Sequence, residues 1–170
     1  GREWGLNTGR RVLITGASGG IGSAVARAFA EQGDHLMLHY FRAASQAQTL
    51  AEECWQKGVI VHTVAADLST WDGIEAVRTA LYQHGFYPNI LINNAGTALY
   101  RLAEEVSRQD WERMVGLHLR SSFFLSQMVL PYMKRVGFGR IINISSVWGE
   151  VGAAHEVVYS TVKGGLNAMT

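Results

Sequence analysis

The segment from Arg11 to Phe29 constrains this chain more than any other. An apolar run, Val12-Leu13-Ile14, leads into a glycine cluster, Gly16, Gly19, Gly20 and Gly22, and then into the helical pattern of Ala24, Val25, Ala28 and Phe29. That order reads as strand, tight turn and helix. The same alternation recurs as a strand over 35–40, a helix over about 45–57, a strand over 59–65, a helix over about 71–84 and a strand over 89–93. Ile90-Leu91-Ile92 and Ile141-Ile142-Asn143-Ile144 are nearly unbroken apolar runs, as expected for strands of a parallel sheet covered by helices on both faces. An alternating run would imply a wetted face. A long helix is expected over about 108–134, with Ser107 as N-cap, Asp110 completing a capping box, and Pro131 bending or ending it.

A length of 170 residues suits one domain, 1–170, with one sizeable core. Hydrophobic residues at 48% against 17% charged exclude a disordered chain. Lysine and arginine number 15 against 14 acidic residues, and a net charge of +1 creates no broad field for nucleic acid or an anionic membrane. Neither partner is expected. The single cysteine, Cys54, excludes an internal disulfide and a multi-cysteine metal site and fits a reducing cytoplasm, while its neighbour Trp55 suggests a buried helix position. With no apolar leader over residues 1–10, the expectation is a soluble cytoplasmic protein that binds no metal.

Thr15-Gly16-Ala17-Ser18-Gly19-Gly20-Ile21-Gly22 lies between the first strand and the first helix. Positions without side chains there let backbone amides and the helix N-terminus approach a pyrophosphate, so the loop reads as the dinucleotide cradle of a Rossmann-type doubly wound three-layer sandwich. The alternative is a merely tight turn. At the end of the second strand, where an acidic residue usually meets the ribose of NAD, the chain carries Tyr40, and Arg42 follows just beyond. A guanidinium there can pair with a 2′-phosphate, which favours NADP(H) over NAD(H); the competing reading is an ordinary solvated arginine. Asp67 and Leu68, after the third strand, are placed to meet the adenine, or Asp67 serves the turn before Ser69 and Thr70.

Tyr159 and Lys163 are four apart on an expected helix and so share a face. A phenol of ordinary pKa near 10 becomes a usable acid or base when an ammonium group stabilises its phenolate. Ser146 follows the fifth strand, at the carboxyl edge where open α/β sheets bind ligands, and can donate to a carbonyl oxygen gaining charge. Taken alone, Tyr159 and Lys163 are as readily a surface tyrosine and a solvated lysine.

With these residues assembled, from Arg11 onward the chain resembles the short-chain dehydrogenase/reductase family. Thr15-Gly16-x-x-x-Gly20-x-Gly22, Asn93-Asn94-Ala95-Gly96, Ser146 and Tyr159-x-x-x-Lys163 occur in family order and at similar spacing. The resemblance implies that Ser146 orients a carbonyl, Tyr159 delivers or removes the proton, and Lys163 holds the nicotinamide ribose and lowers the tyrosine pKa. Asn94, Ala95 and Gly96 would support the cofactor and the central strand.

Two departures accompany the likeness. The position matching the family's relay asparagine is His118, which either replaces it in a proton relay or is a core histidine. Family members also continue past Thr170, so the C-terminal strands are expected to be absent from this chain. The resemblance implies an NADP(H)-dependent oxidoreductase acting on a small-molecule or carrier- or protein-linked carbonyl, similar to 3-oxoacyl-acyl carrier protein reductases. Alternatives are a likeness to aminopentanone reductases of elongation factor P, running through Ser145 to Glu150, Glu156, Val157, Tyr159, Leu117 and His118, and a catalytically idle dinucleotide-binding regulator. A homodimer or homotetramer, joined through the helix over 108–134 and one starting near Val157, is the assembly the family implies.

Overall fold

Four strands early in the chain each feed a helix that packs back onto the sheet. The computed structural model describes residues 9–95 and 103–144. Its elements, in chain order, are β1 (Arg11–Ile14), α1 (Gly20–Glu31), β2 (His35–Tyr40), α2 (Ala44–Trp55), β3 (Val61–Ala65), α3 (Trp71–Gln83), β4 (Ile90–Asn93), α4 (Arg108–Val115), α5 (Ser121–Val136) and β5 (Arg140–Asn143). The strands form one parallel sheet in the order β3-β2-β1-β4-β5. The order reverses between β1 and β4, which places the ligand-binding crevice of such sheets at the carboxyl ends of these two strands.

Side chains alternate across a strand, so each buried strand supplies two cores. Val12, Ile14, Leu36, Leu38, Ile90 and Ile92 pack on one face with Ala26 and Ala30 of α1 and Leu50 and Cys54 of α2. Leu13, Met37 and Leu91 pack on the other with Ile74, Val77 and Leu81 of α3 and Leu125 and Val129 of α5. Hence the near-continuous apolar runs: neither face of the central strands meets water. The doubly wound three-layer sandwich expected from sequence is the observed architecture. Cys54 is fully buried, and burial pushes its thiol pKa up.

The helix expected over 108–134 is present, with one interruption. Its start is as read: Ser107 Oγ accepts from the Asp110 amide at 3.0 Å and Asp110 accepts from the Ser107 amide at 3.0 Å. Between α4 and α5, however, Gly116–Arg120 forms a π turn. Such a turn shifts the carbonyls off the i to i+4 ladder, and hydroxyls satisfy them here: Ser121 donates to the Leu117 carbonyl at 2.6 Å and Ser122 to the His118 carbonyl at 2.9 Å. With Pro131 inside it, α5 runs on to Val136 and stops where Gly137 adopts a left-handed φ of +72°.

Among the described residues no helix is long and apolar enough to cross a membrane. No group of His, Cys, Asp and Glu there could hold a metal ion.

Candidate functional site

The carboxyl ends of β1, β2 and β3 and the first turn of α1 enclose a cleft of about 490 Å³. A larger groove, about 780 Å³, runs along α5 and β5 past Phe123, Leu130, Met133 and Phe138. It follows the flank of the sheet rather than the strand ends where topology gathers polar groups, so the smaller cleft is the candidate site. Gly16, Ser18, Gly19, Gly20, Ile21, Arg42, Asp67, Leu68, Asn94 and Ala95 line it, all residues singled out from sequence.

Three glycines serve three purposes. Gly16 turns the chain out of β1 at φ +61°, and a Cβ there would sit 3.0 Å from the Ala95 Cα. Gly22 lies beneath the loop, where a Cβ would meet the Gly16 carbonyl oxygen at 2.2 Å and Asn94 Nδ2 at 2.8 Å. Gly20, at the start of α1, faces open space, with nothing within 4 Å of a Cβ. That helix has Gly19 as N-cap with no side-chain cap bond and no acidic residue in its first turn, so its positive end and amides are left to an outside acceptor. This is the geometry that accepts phosphate.

Thr15 and Asn94 brace the loop. Thr15 Oγ1 accepts from the amides of Asn94 and Ala95, each at 2.9 Å, and Asn94 Nδ2 donates to the Gly16 carbonyl at 3.1 Å. Ala17 is buried beneath the cleft, with its amide donating to the His39 carbonyl at 2.8 Å. Asn93 ties β4 to β5, donating to Asn143 Oδ1 at 2.9 Å.

On the rim after β2, Arg42 is exposed and lays its guanidinium 4.6 Å from the Phe41 ring centre. Phe41, not singled out from sequence, lines the cleft; Tyr40 is not among the described lining residues. Across the cleft Asp67 accepts from the Ser69 amide at 3.0 Å and hydroxyl at 2.6 Å, so it does serve the turn as well as lining the site. Burial pushes the Asp67 carboxyl up, but those hydrogen bonds and the Arg113 guanidinium 3.7 Å away outweigh it and hold the pKa below the usual range. Arg113 of α4 also bonds Ser69 Oγ at 3.1 Å and reaches 5.8 Å from Phe41. The sequence signal for Arg113 was its place four residues before Leu117, on the helix face that lines the cleft.

His118 occupies the middle of the π turn and is half-buried. Gly96, Ser146, Tyr159 and Lys163 lie outside the described residues, as do Trp148, Glu150 and Glu156.

His39, like Phe41 and Arg113, is a site residue that the sequence analysis does not single out. It is 2% exposed, and its Nδ1 accepts from the Gly16 amide at 3.0 Å while Nε2 donates to the Ala66 carbonyl at 2.8 Å. Burial lowers its pKa to about 4, although the Ala66 carbonyl and Asp67 favour the proton. A lone histidine ending the apolar run Leu36-Met37-Leu38 was the available signal, since a polar ring in a strand covered on both faces must find partners.

Known proteins resemble this chain in sequence and in fold. A family model described as short chain dehydrogenase matches residues 10–170. The uncharacterized oxidoreductase YmfI of Bacillus subtilis is 38% identical over 156 residues, covering 91% of this chain and 63% of that protein. The 3-oxoacyl-[acyl-carrier-protein] reductase FabG of Staphylococcus aureus is 32% identical over 162 residues, covering 95% of this chain and 65% of that protein. A metagenomic short-chain oxidoreductase solved in complex with NADP superposes with a TM-score of 0.84 at 31% identity, over 96% of this chain and 74% of that one. The chain thus spans under two thirds of the length of these curated relatives.

Proposed function

The chain belongs to the short-chain dehydrogenase family, and from that premise we propose that it binds NADP(H) in the carboxyl-end cleft and exchanges hydride with a carbonyl or secondary alcohol. The observation that carries this reading is the first turn of α1, uncapped and free of acid, opening at Gly20 into a cleft with Arg42 on its rim. A phosphate fits that turn, and a Cβ at Gly20 would fill the space it needs. Arg42, with no acidic residue between Asp34 and Glu52 to meet a ribose hydroxyl, supports NADP(H) over NAD(H). The NADP-bound relative is in keeping with that preference.

When bound, the nicotinamide supplies or accepts the hydride. The chain's own part is proton and charge management. Ser146 donates a hydrogen bond to the carbonyl oxygen, and the Tyr159 phenol gives that oxygen its proton as the alcohol forms. Lys163, four residues on from Tyr159 in sequence, stabilises the resulting phenolate. His118, on the π turn that widens the helix beside Leu117, takes part in returning the proton from water.

The carbonyl substrate we favour is a 3-oxoacyl chain, supported by likeness to the FabG reductase. One observation favours a second reading. Between Ser146 and Tyr159 the chain has Trp148, Glu150 and Glu156 but no Lys or Arg, a composition suited to an ammonium group and so to an amino-ketone on a protein side chain. Exposed Trp111, Phe123 and Leu130 on α4 and α5 support association of the complete protein into a dimer or tetramer through these helices.

The test is NADPH oxidation by the full-length protein with a panel of ketones, including a 3-oxoacyl thioester and an ω-amino ketone, alongside Tyr159→Phe. Turnover that nearly vanishes in the variant, with NADPH affinity retained, supports the assignment. Full turnover by the variant overturns it, and tight NADPH binding without any turnover marks an idle regulator.

A further inference from the structure

The carboxyl ends of three neighbouring strands meet at one side chain. Gly16, the second residue past β1, donates its amide N–H to His39 Nδ1 at 3.0 Å. Ala66, the first residue past β3, receives a proton from His39 Nε2 at 2.8 Å. The next loop amide, that of Ala17, donates to the main-chain carbonyl of the same His39 at 2.8 Å. Two successive amides of the glycine loop therefore end on one residue of β2, and the far side of its ring grips the segment that carries Asp67 and Leu68.

These partners settle the ring's protonation. An amide N–H can only donate and a carbonyl can only accept, so Nδ1 is bare and Nε2 carries the hydrogen. A doubly protonated ring would turn an N–H against the Gly16 N–H. At 2% exposure no solvent can replace either partner, and burial keeps the ring neutral at physiological pH.

We infer that His39 is the positioning residue of the nucleotide cleft: its neutral ring, fixed as the Nε2–H tautomer by the Ala66 carbonyl, presents Nδ1 to the Gly16 amide and so sets where the phosphate-binding loop stands relative to the adenine side. The inference rests on the dinucleotide reading given above. The hydrogen bonds of His39 go to Gly16, Ala17 and Ala66, and not to the 2′-phosphate rim at Arg42 or the first turn of α1. Its loss therefore weakens every ligand that spans the two sides of the cleft, whatever its 2′ substituent.

The distance from the main chain to each ring nitrogen gives a directional test. In His39→Asn the carboxamide lies at the level of Nδ1 and keeps an acceptor for the Gly16 amide. In His39→Gln it lies nearer the level of Nε2 and leaves that amide without one.

Dissociation constants for NADPH, NADH and ADP are measured by calorimetry on the full-length wild type, His39→Asn, His39→Gln and His39→Leu, and each thermal midpoint is recorded without ligand. A buried amide left without its acceptor weakens all three ligands about ten-fold or more in His39→Leu and His39→Gln, at an unchanged NADPH to NADH ratio. His39→Asn stays within about three-fold of wild type, even where its thermal midpoint has fallen as far as that of the glutamine variant. Should His39→Leu fail to fold, the contrast between asparagine and glutamine carries the result. Equal affinities in the asparagine and glutamine variants, or a change in the NADPH to NADH ratio, overturn the role of His39 alone. A wild type that binds none of the three overturns the dinucleotide reading itself, and this inference with it.

Discussion

Replacing Gly20 and Gly22 by alanine, one at a time, separates the two duties that a single glycine motif performs. At Gly22 the added Cβ would lie 2.2 Å from the Gly16 carbonyl oxygen and 2.9 Å from the Ala17 Cα, about 1 Å inside ordinary contact for the closest pair. Both obstacles are backbone of the loop that Thr15 and Asn94 already brace, so neither can swing aside. Overpacking of this kind costs about 1 to 3 kcal/mol, and Gly22→Ala is expected to lower the urea midpoint accordingly. At Gly20 a Cβ meets nothing within 4 Å, the backbone is already helical, and alanine restricts the unfolded chain. Gly20→Ala is therefore expected to be as stable as wild type or more so, by about 0.4 to 1 kcal/mol. Its defect appears only with ligand: a methyl group over the amides of α1 keeps phosphate away, and NADPH affinity falls about ten-fold or more. The assays are urea unfolding and calorimetric titration of NADPH into both variants of the full-length protein. A Gly20→Ala protein that loses stability but binds NADPH normally would refute the reasoning, because the open space would then have no ligand to fill it.

Three further outcomes are expected. Arg42→Ala should weaken NADPH about ten-fold with little change for NADH, since a charge-assisted contact to phosphate is worth about 1.5 to 3 kcal/mol; parallel titrations of the two cofactors check it. His39 in the folded state titrates at about 4 instead of its ordinary 6.5. Between these values the unfolded chain binds a proton that the native one refuses, so its contribution is complete above pH 6.5 and roughly 3 kcal/mol of stability is lost as the pH falls to about 4. Urea midpoints across that window should fall less steeply in His39→Asn than in wild type. Ser107→Ala removes the acceptor for the Asp110 amide and should cost about 1 kcal/mol in the same unfolding assay.

Much of the fold was legible because burial on both faces writes itself directly into composition. Val12-Leu13-Ile14 and Ile90-Leu91-Ile92 carry no polar residue, and the structure sends their alternate side chains to two different cores. The glycine loop was legible as well, although sequence could not separate the buried Gly22, which keeps helix and strand close, from the open Gly20. What stayed hidden is held by main-chain atoms. His39 bonds the amide of Gly16 and the carbonyl of Ala66, partners that no side-chain spacing discloses. The π turn escaped for a related reason: the apolar period runs through it, and only the adjacent hydroxyls of Ser121 and Ser122, which serve its carbonyls, set it apart. The helix carries on through Pro131 because a proline removes one amide from a helix that Val129 and Met133 still anchor in the core. Phe41 went unremarked between Tyr40 and Arg42, yet it is the ring against which both Arg42 and Arg113 rest.

In the proposed complex the first turn of α1 and the rim at Arg42 hold the phosphates of a dinucleotide. The most direct measurement is a crystal structure of the full-length protein grown with saturating NADPH. The expected result is density for the pyrophosphate against the amides at Gly20 and Ile21, adenine beside Asp67 and Leu68, and the 2′-phosphate within hydrogen-bond distance of the Arg42 guanidinium. A cleft that remains empty of NADPH under those conditions, or a dinucleotide bound elsewhere on the molecule, would contradict it.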